Sequence, residues 1–519
     1  VNPPQPNKLS PAIQRLYRAA DEAWGRQDYE KSISLMEEAT RKEPYNPSLL
    51  LSLARACGRR YDFPAAKRYI EKAVQISKDP ARTLGEAGQI CVEFDNVEMA
   101  LDCLQRATLK QGVQIAALVL LAEIYIHHRR IDEAAELVTR MTKMDPKNPV
   151  MLVEEAVVRR SQGNTSGAES LFREVLTIPA SSASVRVRAF YQLAAILDNE
   201  GRYDEAMDML LEAKALLRPN AGPSAATLQR MQSVAREMEQ TITATVMDRW
   251  RADADKLQPL RRIAVLCGHP RSGTTLLEQV LDAHSDVTSA EETHIMHQDA
   301  YLPLIRDFPD RTSILQALDL VPPNAIRQAR DNYFRCMELF LRQKIDSRLL
   351  VDKNPALNLM IPMVVRIFPE TKFLIALRDP RDVMVSCFIQ NLPLTTPVGA
   401  AYLSLEGTVN QYANVMGFLL EMLPRVGNQW MYVRYEEMVE DLPTVANSAL
   451  ALLGLDFEDN VLKFYEHARA KPVKSRSQED VQKPLYRKAV GRWRNYQKYL
   501  EPYLPALERF VKAFNYDKS

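Results

Sequence analysis

A small side chain returns every 34 residues through the first half of the chain, at Ser32, Ala66, Ala100, Ala134 and Ala168, and then after 38 at Ala206. Twelve positions before each stands another small residue: Ala20, Ala54, Gly88, Ala122, Ala156 and Ala194. Four positions after each stands an apolar one, from Met36, Ile70 and Leu104 to Val138, Phe172 and Leu210. This spacing describes a helix–turn–helix unit: small residues let two helices of a hairpin approach closely, and larger ones fill the seam with the next hairpin. Pro44 and Pro146 fall in the turns that follow, where a residue that cannot continue a helix belongs.

A period of this length is that of the tetratricopeptide repeat, and about six copies are readable. Such arrays curl into a superhelix with a concave face suited to docking a protein or peptide; a purely scaffolding or dimerising role is the alternative. His127 and His128 read as helix-end residues facing solvent. RPNAGPSAA at 218–226 ends the array with Pro and Gly. The expected organisation is an array over 1–217, a helical linker over 218–258 and a second domain over 259–519.

The composition, 46% hydrophobic and 26% charged with a net charge of +1, is that of an ordinary globular chain and points to no nucleic-acid partner. No apolar run approaches the ~20 residues of a membrane helix, so no membrane partner is expected. The opening VNPPQPNKLS lacks the basic-then-apolar pattern of a secretory leader. The six cysteines are scattered without CxxC spacing and read as reduced, buried thiols, which makes a cytoplasmic location the expectation.

The second half changes character. RRIAVLCG (261–268), SRLLVDK (347–353), TKFLIALRD (371–379) and QWMYVRY (429–435) are short apolar runs of strand type, separated by helical patterns at 355–368, 398–423 and 443–454. Strands alternating with helices predict an α/β domain with a parallel sheet, whose ligands bind beyond the carboxyl ends of the strands. The fold class expected for the whole chain is therefore multidomain: an all-α superhelix followed by an α/β P-loop domain.

The loop GHPRSGTT at 268–275 follows the first of these strands and opens a helix. Its glycine frame is that of a loop whose backbone N–H groups cradle phosphate, here at Arg271, Ser272, Gly273, Thr274 and Thr275. The lysine that a nucleotide triphosphatase places after the second glycine is replaced by Thr274, which disfavours ATP or GTP hydrolysis. Arg271 offers positive charge from within the loop instead.

PRSGTTLLEQVLDAH (270–284) resembles the 5′-phosphosulfate loop of sulfotransferases that use 3′-phosphoadenosine 5′-phosphosulfate (PAPS). FLIALRDPRDVMVS (373–386) resembles their 3′-phosphate segment, in which Arg378 and Ser386 match the residues of a second phosphate clamp. The likeness is closest to the protein-tyrosine sulfotransferases. DAHSDVTSAEET (282–293) is similar to their catalytic-glutamate segment, which places that role on Glu292, and DKNPAL (352–357) places their lysine at Lys353. VRYEEM (433–438) matches at Tyr435, and SRSQEDVQKPLYRKAVGRW (475–493) puts the matching serine at Ser477 and a nucleotide-binding cation at Arg492. Where those enzymes carry basic residues after the glutamate, this chain has His294 and Gln298.

The resemblance implies transfer of a sulfuryl group from PAPS to an acceptor hydroxyl, with PAP as product and no metal. Glu292 would be the base, and Lys353, Arg271 and Ser477 would stabilise developing charge. Arg271, Ser272, Gly273, Thr274, Thr275, Arg378, Ser386, Tyr435 and Arg492 would hold the donor. Glu291 competes with Glu292 for the role of base, and adjacent residues are expected to point apart. The favoured acceptor is a protein or peptide tyrosine docked by the array. Sulfation of a glycan or small molecule, a non-catalytic nucleotide-binding adaptor, and a homodimer all stay open at this point.

Overall fold

The computed structural model describes residues 9–309, 311–470, 481–482, 485 and 489–517. The chain divides into two compact units that meet in sequence at Leu216 and Leu217.

Among the described residues, twelve helices run from Pro11–Gly25 to Tyr203–Leu217, and the first ten pack in successive pairs as helical hairpins. The first helices of successive hairpins also pack on one another, as Pro47–Arg59 does on Pro80–Glu93 and the latter on Ile115–His127. Every member of the three small or apolar columns above is buried, and Ser32, Ala54, Ala66, Ala100, Ala122 and Ala168 are wholly so. Glycine is required where helices meet most closely: a Cβ would stand 2.2 Å from Phe94 Cδ1 at Gly58 and 2.5 Å from Leu104 Cγ at Gly88. The hairpin turns share one backbone shape. Gln27, Tyr61, Asp95 and Arg129 have φ of 58, 65, 62 and 58°, and Gly163 and Gly201 follow at 84 and 77°. The next residue caps the second helix: Asp28, Asp62, Asn96 and Asn164 accept from the backbone N–H three residues on. Arg130 and Arg202 occupy the same place and instead pair with the first-turn carboxylates of Glu133 and Glu205. His127 is exposed at its helix end, and His128 is half-buried.

The second unit is built on a parallel sheet, five-stranded among the described residues, in the order β2-β3-β1-β4-β5. The strands are β1 Ile263–Gly268, β2 Val287–Glu291, β3 Leu349–Lys353, β4 Lys372–Leu377 and β5 Trp430–Arg434. Four are those the apolar runs predict. The fifth, β2, corrects that reading: VTSAE is too short and too polar to stand out as an apolar run, yet it pairs with β3 along its whole length. One sheet face packs Leu266, Val351, Leu374 and Val433 against the helices Thr274–Asp282 and Leu442–Leu453. On the other face Tyr333 of the helix Pro323–Leu341 reaches Asp352 of β3. Residues 218–258, expected as a connecting stretch, form the helices Gly222–Thr241 and Ala244–Ala252 within the second unit. They are fixed there by Ser224 Oγ on Thr396 O, Arg425 on Glu239 O and Ile242 O, and a buried Trp250 bonded to Asp319. No helix among the described residues is long and apolar enough to cross a membrane.

Candidate active site

All five strands deliver a chemically competent residue at the carboxyl edge of the sheet. β1 ends in Gly268 at φ 139°, where a Cβ would lie 2.3 Å from the carbonyl oxygen of Ala376 on β4. Only glycine lets the two backbones close here. The amide of Asn358 clamps the same residue from the other side, accepting from Gly268 N–H at 2.8 Å and donating to Gly268 O at 2.7 Å. The loop then turns through Arg271 at φ 72° and Gly273 at φ 90° into the helix Thr274–Asp282. No side chain caps that helix, so its first N–H groups face the loop with the positive end of the helix dipole. Ser272, Thr274 and Thr275 are buried around them. His269 packs on Tyr412 with ring centroids 4.9 Å apart, and burial pushes its pKa down to about 4, so it is a neutral wall of the loop.

The end of β4 closes the second clamp. Arg271 Nε donates to Ser386 Oγ at 3.0 Å, and Arg378 donates to the carbonyl of Arg271 at 3.4 Å. The Arg378 guanidinium lies 5.1 Å over the ring of Tyr435, the first residue past β5. Tyr435 in turn presses on the loop: a Cβ at Gly273 would stand 2.8 Å from its Cδ2. Asp379 caps the helix Pro380–Phe388 and pairs with Arg381 at 2.6 Å. Asp382, one turn on, accepts from the N–H groups of Gly491 and Trp493 at 2.7 and 2.8 Å. Arg492 lies between those two residues and is thereby anchored beside Arg378, which is itself 3.8 Å from Asp382.

β2 and β3 supply the acid–base side. Lys353 ends β3 opposite Leu266 of β1 and Glu291 of β2. Its Nζ is wholly buried and lies 3.1 Å from Glu291, 3.0 Å from Glu292 and 3.5 Å from Glu278. Burial opposes its charge, but the three carboxylates outweigh burial and hold its pKa above the ordinary lysine value. Glu292 takes φ 51° and hangs its N–H on Lys353 O at 2.7 Å, so the chain swings back over β3. Contrary to the expectation that neighbouring residues point apart, both glutamates therefore reach the same ammonium. They differ in exposure: the Glu291 side chain is 9% accessible and that of Glu292 51%. Asp352, pointing to the opposite face, has its pKa raised by burial to about 7 and accepts from Tyr333 at 2.7 Å.

The loop residues, Arg378, Ser386, Tyr435 and Arg492 thus form one group, and Glu291, Glu292 and Lys353 another along the same edge. Ser477 lies outside the described residues. Sequence reasoning missed Glu278 and Asn358. Glu278 was detectable as an acidic residue inside the apolar run of TTLLEQVLD; Asn358 carried no local signal, because its partner Gly268 is ninety positions away.

Fold and site together define an α/β domain with a phosphate-type loop after its first strand, preceded by helical hairpin repeats. Residues 264–459 match the Sulfotransferase family, and residues 17–80, 91–149 and 187–216 match the Tetratricopeptide repeat. The chain joins tetratricopeptide repeats to a sulfotransferase-family domain, and its second half is similar to the protein-tyrosine sulfotransferases. An uncharacterized protein of Aquifex aeolicus is 26% identical over 435 residues, 82% of this chain and 54% of the relative. The protein-tyrosine sulfotransferase of Drosophila melanogaster is 26% identical over 236 residues, 44% of this chain and 46% of the relative. The chain spans about half the length of these curated relatives. Among solved structures, the sulfotransferase domain of the Synechococcus PCC 7002 olefin synthase aligns at 22% identity over 46% of this chain and 90% of its own, with a TM-score of 0.33.

Proposed function

We propose that the second unit transfers the sulfuryl group of PAPS to an acceptor hydroxyl, and that this acceptor is a tyrosine of a protein or peptide held by the repeat array. The observation that carries the donor assignment is the 3.0 Å contact of Arg271 with Ser386, which places the 5′-side loop and the 3′-side clamp against each other. A donor with phosphate groups at both ends of one nucleoside suits such a pair. A nucleoside triphosphate would call for the loop lysine that Thr274 replaces.

In the reaction the acceptor oxygen attacks sulfur, the new O–S bond forms as the bond from sulfur to the 5′-phosphate oxygen breaks, and PAP leaves. Glu292, the half-exposed carboxylate of the trio, takes the acceptor proton. Lys353 and Arg271 neutralise charge on the sulfuryl and leaving oxygens, so positioning and electrostatics supply the catalysis. Protein tyrosine as acceptor is supported by the similarity to named protein-tyrosine sulfotransferases and by the repeat array, a scaffold suited to capturing polypeptides.

Transfer of labelled sulfate from PAPS into a native extract, followed by mass spectrometry of the product, tests both parts. Sulfotyrosine is the expected product. Label on a glycan or small molecule would overturn the acceptor, and no transfer together with no PAP binding would overturn the donor.

A further inference from the structure

Glu278 is the fifth residue of the helix that opens on the phosphate loop, and its side chain is almost wholly buried. An acid in such a place is costly unless it is paired. Its Oε1 accepts from Ser289 Oγ of β2 at 2.9 Å, and its Oε2 faces Lys353 Nζ at 3.5 Å. The ammonium is therefore shared between the buried carboxylate of Glu278, the largely covered one of Glu291 and the half-exposed one of Glu292. Asp352, the neighbour of Lys353 in β3, turns to the other sheet face and is held by Tyr333.

This arrangement sets a problem for the chemistry. A base bound tightly to an ammonium is a weak base, and an ammonium neutralised by that base is a weak stabiliser of the leaving group. We propose that Glu278 is a positioning residue that resolves the conflict: a fixed, buried counter-charge that keeps Lys353 in place while Glu292 lets go of it to receive the acceptor proton. The inference rests on the sulfuryl-transfer reading of this site. Glu278 touches neither donor nor acceptor in this scheme and acts only through Lys353.

The test is Glu278→Gln, which keeps the shape and a partner for Ser289 but removes the charge. Lys353 then leans on Glu292, so kcat is expected to fall about tenfold and the acid limb of the kcat/KM profile to move to lower pH, while PAP affinity changes less than about threefold. An acid limb that stays in place would overturn the proposal, whatever happens to kcat. A second measurement needs no activity: a double-mutant cycle of Glu278→Gln and Lys353→Met read by thermal unfolding. Coupled residues give a double variant whose Tm loss matches the larger single loss; additive losses would overturn the pairing. An unmodified protein that neither transfers sulfate nor binds PAP would refute the sulfuryl-transfer reading, and the cycle would still decide whether Glu278 holds Lys353.

Discussion

Arg271 Nε and Ser386 Oγ stand 3.0 Å apart although 115 residues separate them, so one hydrogen bond ties the phosphate loop after β1 to the helix after β4. On the proposed reading, both side chains hold phosphate-bearing ends of the donor. Ser386→Ala is expected to weaken PAP binding about tenfold, and Arg378→Ala at least as much, as for loss of charge-assisted hydrogen bonds. Calorimetric titration with PAP checks this; affinities equal to that of the unmodified protein would remove the second clamp.

Glu292→Ala should abolish transfer while leaving PAP affinity within about threefold, because a general base contributes on the order of 10²–10⁴ in rate and the donor contacts lie on the other strands. Single-turnover assays beside PAP titration separate the two effects. Full activity in the variant would move the role of base to Glu291.

Gly268 and Gly273 both hold φ values that disfavour a side chain, but what surrounds them differs. Gly268→Ala drives a Cβ to 2.3 Å from the Ala376 carbonyl, whereas Gly273→Ala meets only the ring edge of Tyr435, which can rotate away. We expect Gly268→Ala to cost more stability in urea unfolding, by more than the ~1–3 kcal/mol of left-handed strain alone. Gly273→Ala should cost about that strain and weaken PAP binding.

Burial lowers the His269 pKa from 6.5 to about 4. A depressed pKa contributes stability that is present above the unfolded value and is lost as pH falls through the folded one. Between pH 6.5 and 4 the unmodified protein should therefore lose on the order of 2–3 kcal/mol more than His269→Phe, which keeps a ring against Tyr412 but cannot titrate. Parallel pH–stability curves for the two proteins would contradict the burial argument.

Gly88→Val inserts a branched side chain where Leu104 already lies within 2.5 Å of the Cβ position. The expected loss is about 1–3 kcal/mol in the unfolding of the repeat unit, with PAP affinity unchanged. Urea unfolding followed alongside PAP titration distinguishes this from a general loss of fold.

The repeat array was legible because its message is steric: alanine and glycine at fixed steps mark where helices touch, and every column member is buried. Its turns were less legible, since the left-handed conformation falls on Gln27, Tyr61, Asp95 and Arg129 and only later on glycine. In the second unit the loop and Arg378 stood out because glycine and charge at a strand end are local signals. β2 did not, because its stability comes from pairing with β3 and burial beneath a helix, which five residues of mixed polarity do not announce. Residues 218–258 look like a polar connector in isolation; what fixes them is partners such as Thr396 and Arg425, far along the chain. Asn358 hid for the same reason, its partner Gly268 lying 90 residues away.

Among the described residues β2 is an edge strand, paired in the sheet with β3 alone, whereas the phosphate loop hangs from β1 at the centre. Edges open at lower free energy than centres. A molecule whose margin has loosened keeps the phosphate loop but has lost both glutamates. On the proposed reaction such a molecule would hold the sulfuryl donor with no base to discharge it.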